Sequence, residues 1–101
     1  MILHVVAWRL KEAALGNGQA ENARLFRAKL EALRGRIPGL RRLDVALDFS
    51  RTESSSDVVL VAEFDSREAL AAYQIHPEHQ AVVAFAKQIV AERRLVDGEL
   101  D

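Results

Sequence analysis

Cysteine is absent from this chain, which removes disulfide frameworks, thiolate nucleophiles and Cys-ligated zinc or iron–sulfur centres together. That absence suits a cytoplasmic location. Only 2 prolines and 5 glycines punctuate the sequence, and no repeat, linker or second domain is visible, so residues 1–101 read as one domain. No apolar run approaches the roughly 18 residues of a membrane span. The opening MILHVVAWRL also lacks a basic n-region, so neither a signal peptide nor a membrane contact is expected. Charge of one sign is missing too: 14 basic and 15 acidic residues leave a net −1. Arg34, Arg36, Arg41 and Arg42 do cluster, but Asp44 and Asp48 follow closely. That pattern describes a solvated charged face and not a nucleic-acid footprint, which needs a domain-wide basic bias.

What is present is apolar material, 50% of the residues, which excludes a disordered tail. A chain of this size buries roughly 65% of the surface its unfolded form exposes, enough for a core without metal or disulfide staples. Its arrangement is periodic. In residues 2–10, His4, Val6, Trp8 and Leu10 alternate with Leu3, Val5, Ala7 and Arg9, the period of a strand buried on both faces. Leu15-Gly16-Asn17-Gly18 signals a loop. From Gln19 the apolar residues Ala23, Phe26, Leu30, Leu33 and Ile37 recur by threes and fours, predicting an amphipathic helix that ends at Pro38-Gly39. Leu43, Val45, Leu47 and Phe49 predict a second strand, and Thr52 to Ser56 a polar surface loop.

Val58 to Phe64 predicts a third strand. Asp65-Ser66-Arg67-Glu68 offers a capping box for a short helix carrying Ala69, Leu70 and Tyr73. His76-Pro77 interrupts that helix, and Pro77 opens another that runs to about Val90. Arg93 to Asp97 closes the chain as a last strand. The order β-α-β-β-α-β predicts an α+β ferredoxin-like fold, an antiparallel sheet with helices on one face. Leu3, Val5, Ala7, Val59 and Val61 would then form an apolar patch on the other face. The expected partner is a second copy of the chain, packed sheet against sheet.

The chain has 3 histidines and 1 tyrosine, and three of those four residues lie in Tyr73-Gln-Ile-His76-Pro77-Glu-His79. His76 is placed as a helix cap facing solvent. His79 shares a helical face with Val82, Val83 and Ala86 and so points inward. Tyr73 lies on the buried side of its own helix, His4 shares a strand face with Val6 and Trp8, and Asp97 shares one with Leu95. Four polar groups are therefore expected to converge in an apolar layer, where they must find partners. Two readings stay open. In one the cluster satisfies itself, with Asp97 on one ring nitrogen of His79, Tyr73 on the other, and His4 capping a strand edge or a carbonyl. In the other, Asp97 fixes the tautomer of His79, which acts as general base, while Tyr73 donates to a developing oxyanion. The donor spacing does not favour a metal site, and Trp8 and Phe26 read as core.

HVVAWRLKE near the start, IPGL after the first helix, EFDSREALAAYQIHPEHQAVV and the closing RLVD together resemble the stress-responsive A/B-barrel (Dabb) family over nearly the whole chain. His-Pro-x-His after a tyrosine, with an early strand histidine, is the most specific part. The resemblance implies a ferredoxin-like monomer that dimerises through its sheet into an α/β barrel. For function it implies two directions. Many bacterial members have no assigned role, which leaves a domain that binds a small apolar or aromatic molecule between sheet and helices. A plant member is a cofactor-free polyketide cyclase that works by intramolecular aldol condensation, and its pattern is matched here by His4, Tyr73, His79 and Asp97. On that resemblance His79 is the base, Asp97 its orienter, Tyr73 the substrate-positioning donor and His4 a second pocket contact. Neither metal nor cofactor is implied. Ala7, Trp8 and Ala46 depart from the cyclase's pocket lining.

Overall fold

The computed structural model describes residues 1–100. Strand β1 (Ile2–Leu10) runs through the middle of a four-stranded antiparallel sheet. The chain then makes a two-residue-per-arm ribbon, β2 (Ala13–Ala14) and β3 (Asn17–Gly18), and enters helix α1 (Gln19–Glu31). Strands β4 (Leu40–Leu47) and β5 (Val58–Phe64) form a hairpin. Helices α2 (Arg67–Ile75) and α3 (Pro77–Ile89) follow, and β6 (Val90–Glu99) returns beside β1. The sheet order is β4-β5-β1-β6. This is the ferredoxin-like arrangement, with all helices on one face.

The alternation in β1 sorts its residues as the pattern predicts. Ile2, His4, Val6, Trp8 and Leu10 are buried under the helices, while Leu3, Val5 and Ala7 are half-buried on the other face. Phe26, Leu60 and Phe64 lie in the same core at 1%, 1% and 0% exposure. Removing each such side chain from water contributes roughly 1.5–3 kcal/mol. On the uncovered face Val96, Val5 and Val61 stand in register as one row across β6, β1 and β5. Val59 and Val61 are half-buried there, and Val96 is 66% exposed.

Four sequence expectations shift at element ends. Helix α1 stops at Glu31, not at Pro38. Its end tightens into i→i−3 bonds from the amides of Leu33, Arg34 and Arg36, and Gly35 turns the chain away at φ +75°. Leu33 and Ile37 remain buried, so the apolar stripe outlasts the helix. Strand β4 stops at Leu47, leaving Phe49 92% exposed. The carboxylate of Asp48 accepts from the amide of Arg51, whose φ of 52° turns the loop. The N-cap of α2 is Ser66 and not Asp65: Ser66 Oγ accepts from the Ala69 amide at 3.1 Å, while Asp65 is held by Arg41. Finally, β6 reaches well beyond Arg93–Asp97 in both directions, because it pairs with β1 along its length.

Two buried polar residues, Asn22 and Asp57, hold the end of the sheet remote from His4. Asp57 accepts from the Leu10 amide at 2.7 Å and from Arg51 Nη1 at 2.8 Å. Asn22, fully buried, donates to the Ala14 carbonyl at 3.0 Å and so ties the small ribbon to α1. At the other end Gly39 lets α2 approach the sheet. It sits at φ +80°, and a Cβ there would lie 2.6 Å from Ala69 Cβ. Only glycine tolerates both the backbone angle and that contact. The close approach fixes the height of α2, which carries Tyr73 over the sheet. Among the described residues no helix is long and apolar enough to cross a membrane.

Candidate functional site

Four elements supply the polar cluster. His4 comes from the first half of β1, and Asp97 stands directly opposite it on β6. The two side chains share the helix-facing side, and His4 Nδ1 lies 2.5 Å from Asp97 Oδ1. In the neutral ring the proton bonded to the carboxylate sits on Nδ1, which leaves Nε2 as a proton acceptor. His4 is buried, while the Asp97 side chain is 35% exposed at the sheet edge.

Tyr73 comes from α2 and is 1% exposed. Its ring packs on Phe64 with centroids 4.9 Å apart, meets the edge of His4 at 6.0 Å and lies over His79 at 4.0 Å. The hydroxyl has no hydrogen-bond partner among the described residues. Burial pushes its pKa up to about 12, with the positive Arg93 pulling weakly the other way. It is therefore a neutral donor throughout the ordinary pH range.

His79 stands in the first turn of α3. The break that places it is made by His76, which ends α2 and caps α3: its Nδ1 accepts from the Glu78 amide at 3.1 Å, and Pro77 follows at the first helical position. His79 is half-buried, and its Nδ1 makes a long contact of 3.4 Å to the Gln74 carbonyl. Burial holds its pKa below the ordinary 6.5. The Gln74 carbonyl opposes that shift, and electrostatic repulsion of a protonated ring by the His4, Arg93 and His76 side chains reinforces it.

The expected tetrad is thus assembled with a different internal pairing. His4, Tyr73 and His79 line one cleft, and Asp97 stands behind His4. Asp97 does not orient His79; it orients His4, because antiparallel neighbours on one face lie closest. The expectation that His4 caps a strand edge or a carbonyl is corrected for the same reason. Tyr73 meets His79 through ring faces and not through a hydrogen bond. His76 is a cap, as its position suggests. Ala7 and Ala46 lie toward the outer sheet face, so they say nothing about the cleft. Among the described residues no group of three or more histidine or acidic side chains is placed to hold a metal.

The cleft has a volume of about 470 Å³, within the range of small-molecule sites. Trp8 and Phe26, packed edge to face at 4.7 Å, are core residues and also form its apolar wall. Val82, Val83 and Ala86 of α3 line the opposite side. Gln74, Gln80, Lys87 and Arg93 are further polar residues of the lining and were not singled out in the sequence. Arg93 was readable in principle: it lies four residues before Asp97, on the same strand face.

The family model for the stress responsive A/B barrel domain matches residues 2–100. The chain belongs to this family. Among solved structures, this Dabb domain is similar to a dimeric ferredoxin-like protein of unknown function from Bacteroides fragilis. The TM-score is 0.87 at 26% identity, covering 98% of this chain and 95% of that one. A dimeric ferredoxin-like protein of unknown function from Thermobifida fusca gives 0.84 at 25% identity, covering 98% and 90%. A hydroxynitrile lyase from Passiflora edulis shares the fold at TM-score 0.79 and 12% identity, covering 99% and 93%. No curated protein sequence matches this chain.

The depressed pKa of His79 carries a pH dependence. The unfolded chain protonates this ring near 6.5, whereas the folded ring resists until lower pH. Unfolded protein then binds more protons in that window. The stability contributed by neutral His79 is therefore complete above 6.5 and declines as pH falls below it. Urea unfolding at pH 7.5 and 5.5 should show a smaller loss of midpoint in His79→Gln than in the native chain. Equal losses would remove His79 from this role.

Proposed function

We propose that this Dabb domain binds a small apolar or aromatic molecule that presents an oxygen acceptor to Tyr73. One observation carries the reading: a hydroxyl lining an apolar cleft, buried and without a hydrogen-bond partner among the described residues. Leaving such a group unpaired costs roughly 1–3 kcal/mol, a cost that a ligand oxygen offsets. Tyr73→Phe separates this reading from a purely structural one. The variant should be more stable than the native chain in urea by about 1 kcal/mol. It should also bind 1-naphthaldehyde more weakly, while its affinity for N-phenyl-1-naphthylamine, a neutral dye without a carbonyl, stays unchanged. A native protein that takes up neither compound would sink the reading.

The histidine–carboxylate pair favours a second reading, cofactor-free acid/base chemistry of the aldol type. His4, oriented by Asp97, would accept a proton from the carbon beside a carbonyl through Nε2, and Tyr73 would donate to the oxygen on which charge develops. The base is then His4, with His79 stacked on Tyr73 as a neutral wall. The test is deuterium exchange at the α-carbon of phenylacetone, followed by proton NMR in D2O. His4→Gln should slow exchange by about 10²-fold, and His79→Gln by far less. Exchange no faster than in buffer would exclude this chemistry for ketones.

The uncovered sheet face supports a homodimer packed through it, as the similar structures are described as dimeric. Val96, Val5 and Val61 would lie at its centre. Val61→Glu should halve the mass measured by light scattering, with the far-UV circular dichroism retained. A native chain that is monomeric at high micromolar concentration would rule the dimer out.

A further inference from the structure

We propose that the molecule bound in the cleft is a carboxylate. Its apolar or aromatic body would lie along Trp8 and Phe26, and its anionic end would meet Arg93 and Lys87. This rests on the binding reading above and adds the chemical class of the ligand.

The charge lining the cleft is of one sign. Arg93 and Lys87 both border it, and among the described residues no aspartate or glutamate does. Asp97, the nearest candidate, lies behind His4 and is bonded to its ring. Neither Arg93 nor Lys87 forms an ion pair among the described residues, whereas most other arginines do. Arg24 meets Glu21, Arg36 meets Glu78, Arg41 meets Asp65 and Arg67 meets Glu99. A shortage of acids does not explain the difference, since acidic residues outnumber basic ones by 15 to 14. Arg9, Lys11, Lys29 and Arg94 also form no ion pair among the described residues, but none of them borders the cleft. Arg93 and Lys87 are therefore the uncompensated charges at its wall. Beside low-dielectric walls, an ion pair gains more than it does on the open surface.

The three polar features then divide the ligand between them. A guanidinium presents a fork of donors suited to a carboxylate, and Lys87 adds a point charge. The Tyr73 hydroxyl, deeper in the cleft, donates to a second oxygen. His79 is held toward its neutral form, so between them it is a polar surface and not a competing charge.

Neighbouring residues on β6 provide a matched control. Arg93 pairs with Trp8 and faces the helices, whereas Arg94 pairs with Ala7 and faces the outer side. Arg93→Gln and Arg94→Gln make the same change of net charge on opposite faces of one strand. Titration calorimetry would compare decanoate with 1-decanol, and 2-naphthoate with 2-naphthamide. Emission from Trp8, the sole tryptophan, would report occupancy of the cleft. In the native chain and in Arg94→Gln, each acid should bind at least about tenfold more tightly than its neutral counterpart, the equivalent of one charge-assisted hydrogen bond. In Arg93→Gln the two members of each pair should bind within about twofold of each other. Acids and neutral compounds that bind the native chain alike would overturn the inference and leave the binding reading standing. So would an Arg94→Gln variant that loses as much as Arg93→Gln. If none of the four compounds binds, the inference falls, and uptake of N-phenyl-1-naphthylamine decides separately whether the cleft binds ligands at all.

Discussion

The sheet is one strand wider than the helical layer above it, and the site follows from that mismatch. β6 pairs with β1 over nearly its whole length, yet its residues are exposed almost throughout on both faces. Arg93, Leu95 and Asp97 point to the helical side and find no helix broadly packed on them. Closing that gap would require another helix, or α3 drawn outward over the edge. Instead α3 stays against the rest of the core, burying Val82 and Ile89. The space left between α3 and the edge strand is the cleft. Its floor is β1, one of the two inner strands, so a polar residue there is both buried and reachable.

Periodicity carried most of this into view, because alternation and three–four spacing are local properties. The β-α-β-β-α-β order, the His76-Pro77 break and the inward residues of β1 are legible for that reason. The weakest element to read was β6, since an exposed edge strand has no apolar face to reveal its length. The pairing inside the cluster was not legible either. It depends on which residue of β6 stands opposite His4, and register is a tertiary property. Tyr73, His79 and Asp97 could be assigned to the right layer, but not to the right partners. Asn22 and Asp57 gave no periodic signal at all, since their work is to bind loops and chain ends.

The polar groups of this domain fall into two populations. On the surface, Arg41 grips Asp65 through bonds of 2.6 and 2.7 Å, which holds that carboxyl below its usual range. Exposed pairs of this kind contribute little each; here they set how β4 meets the start of α2. In the cleft the groups are few and their protonation is biased by burial. Tyr73 keeps its proton, and His79 gives its proton up early as pH rises. Environment, more than residue type, thus separates donor from acceptor in a site built from neighbouring rings.

Strand β1 has a property that neither face shows alone. His4, Val6 and Trp8 look into the cleft, while Leu3, Val5 and Ala7 look out from the uncovered side of the sheet. The two surfaces are not distant regions joined by a network; they are alternate side chains of one backbone. Whatever rests on Val5 presses on the peptide unit that carries His4. A tilt or bend imposed on the strand from outside is felt at the floor of the cleft one residue away, with no intermediary to absorb it.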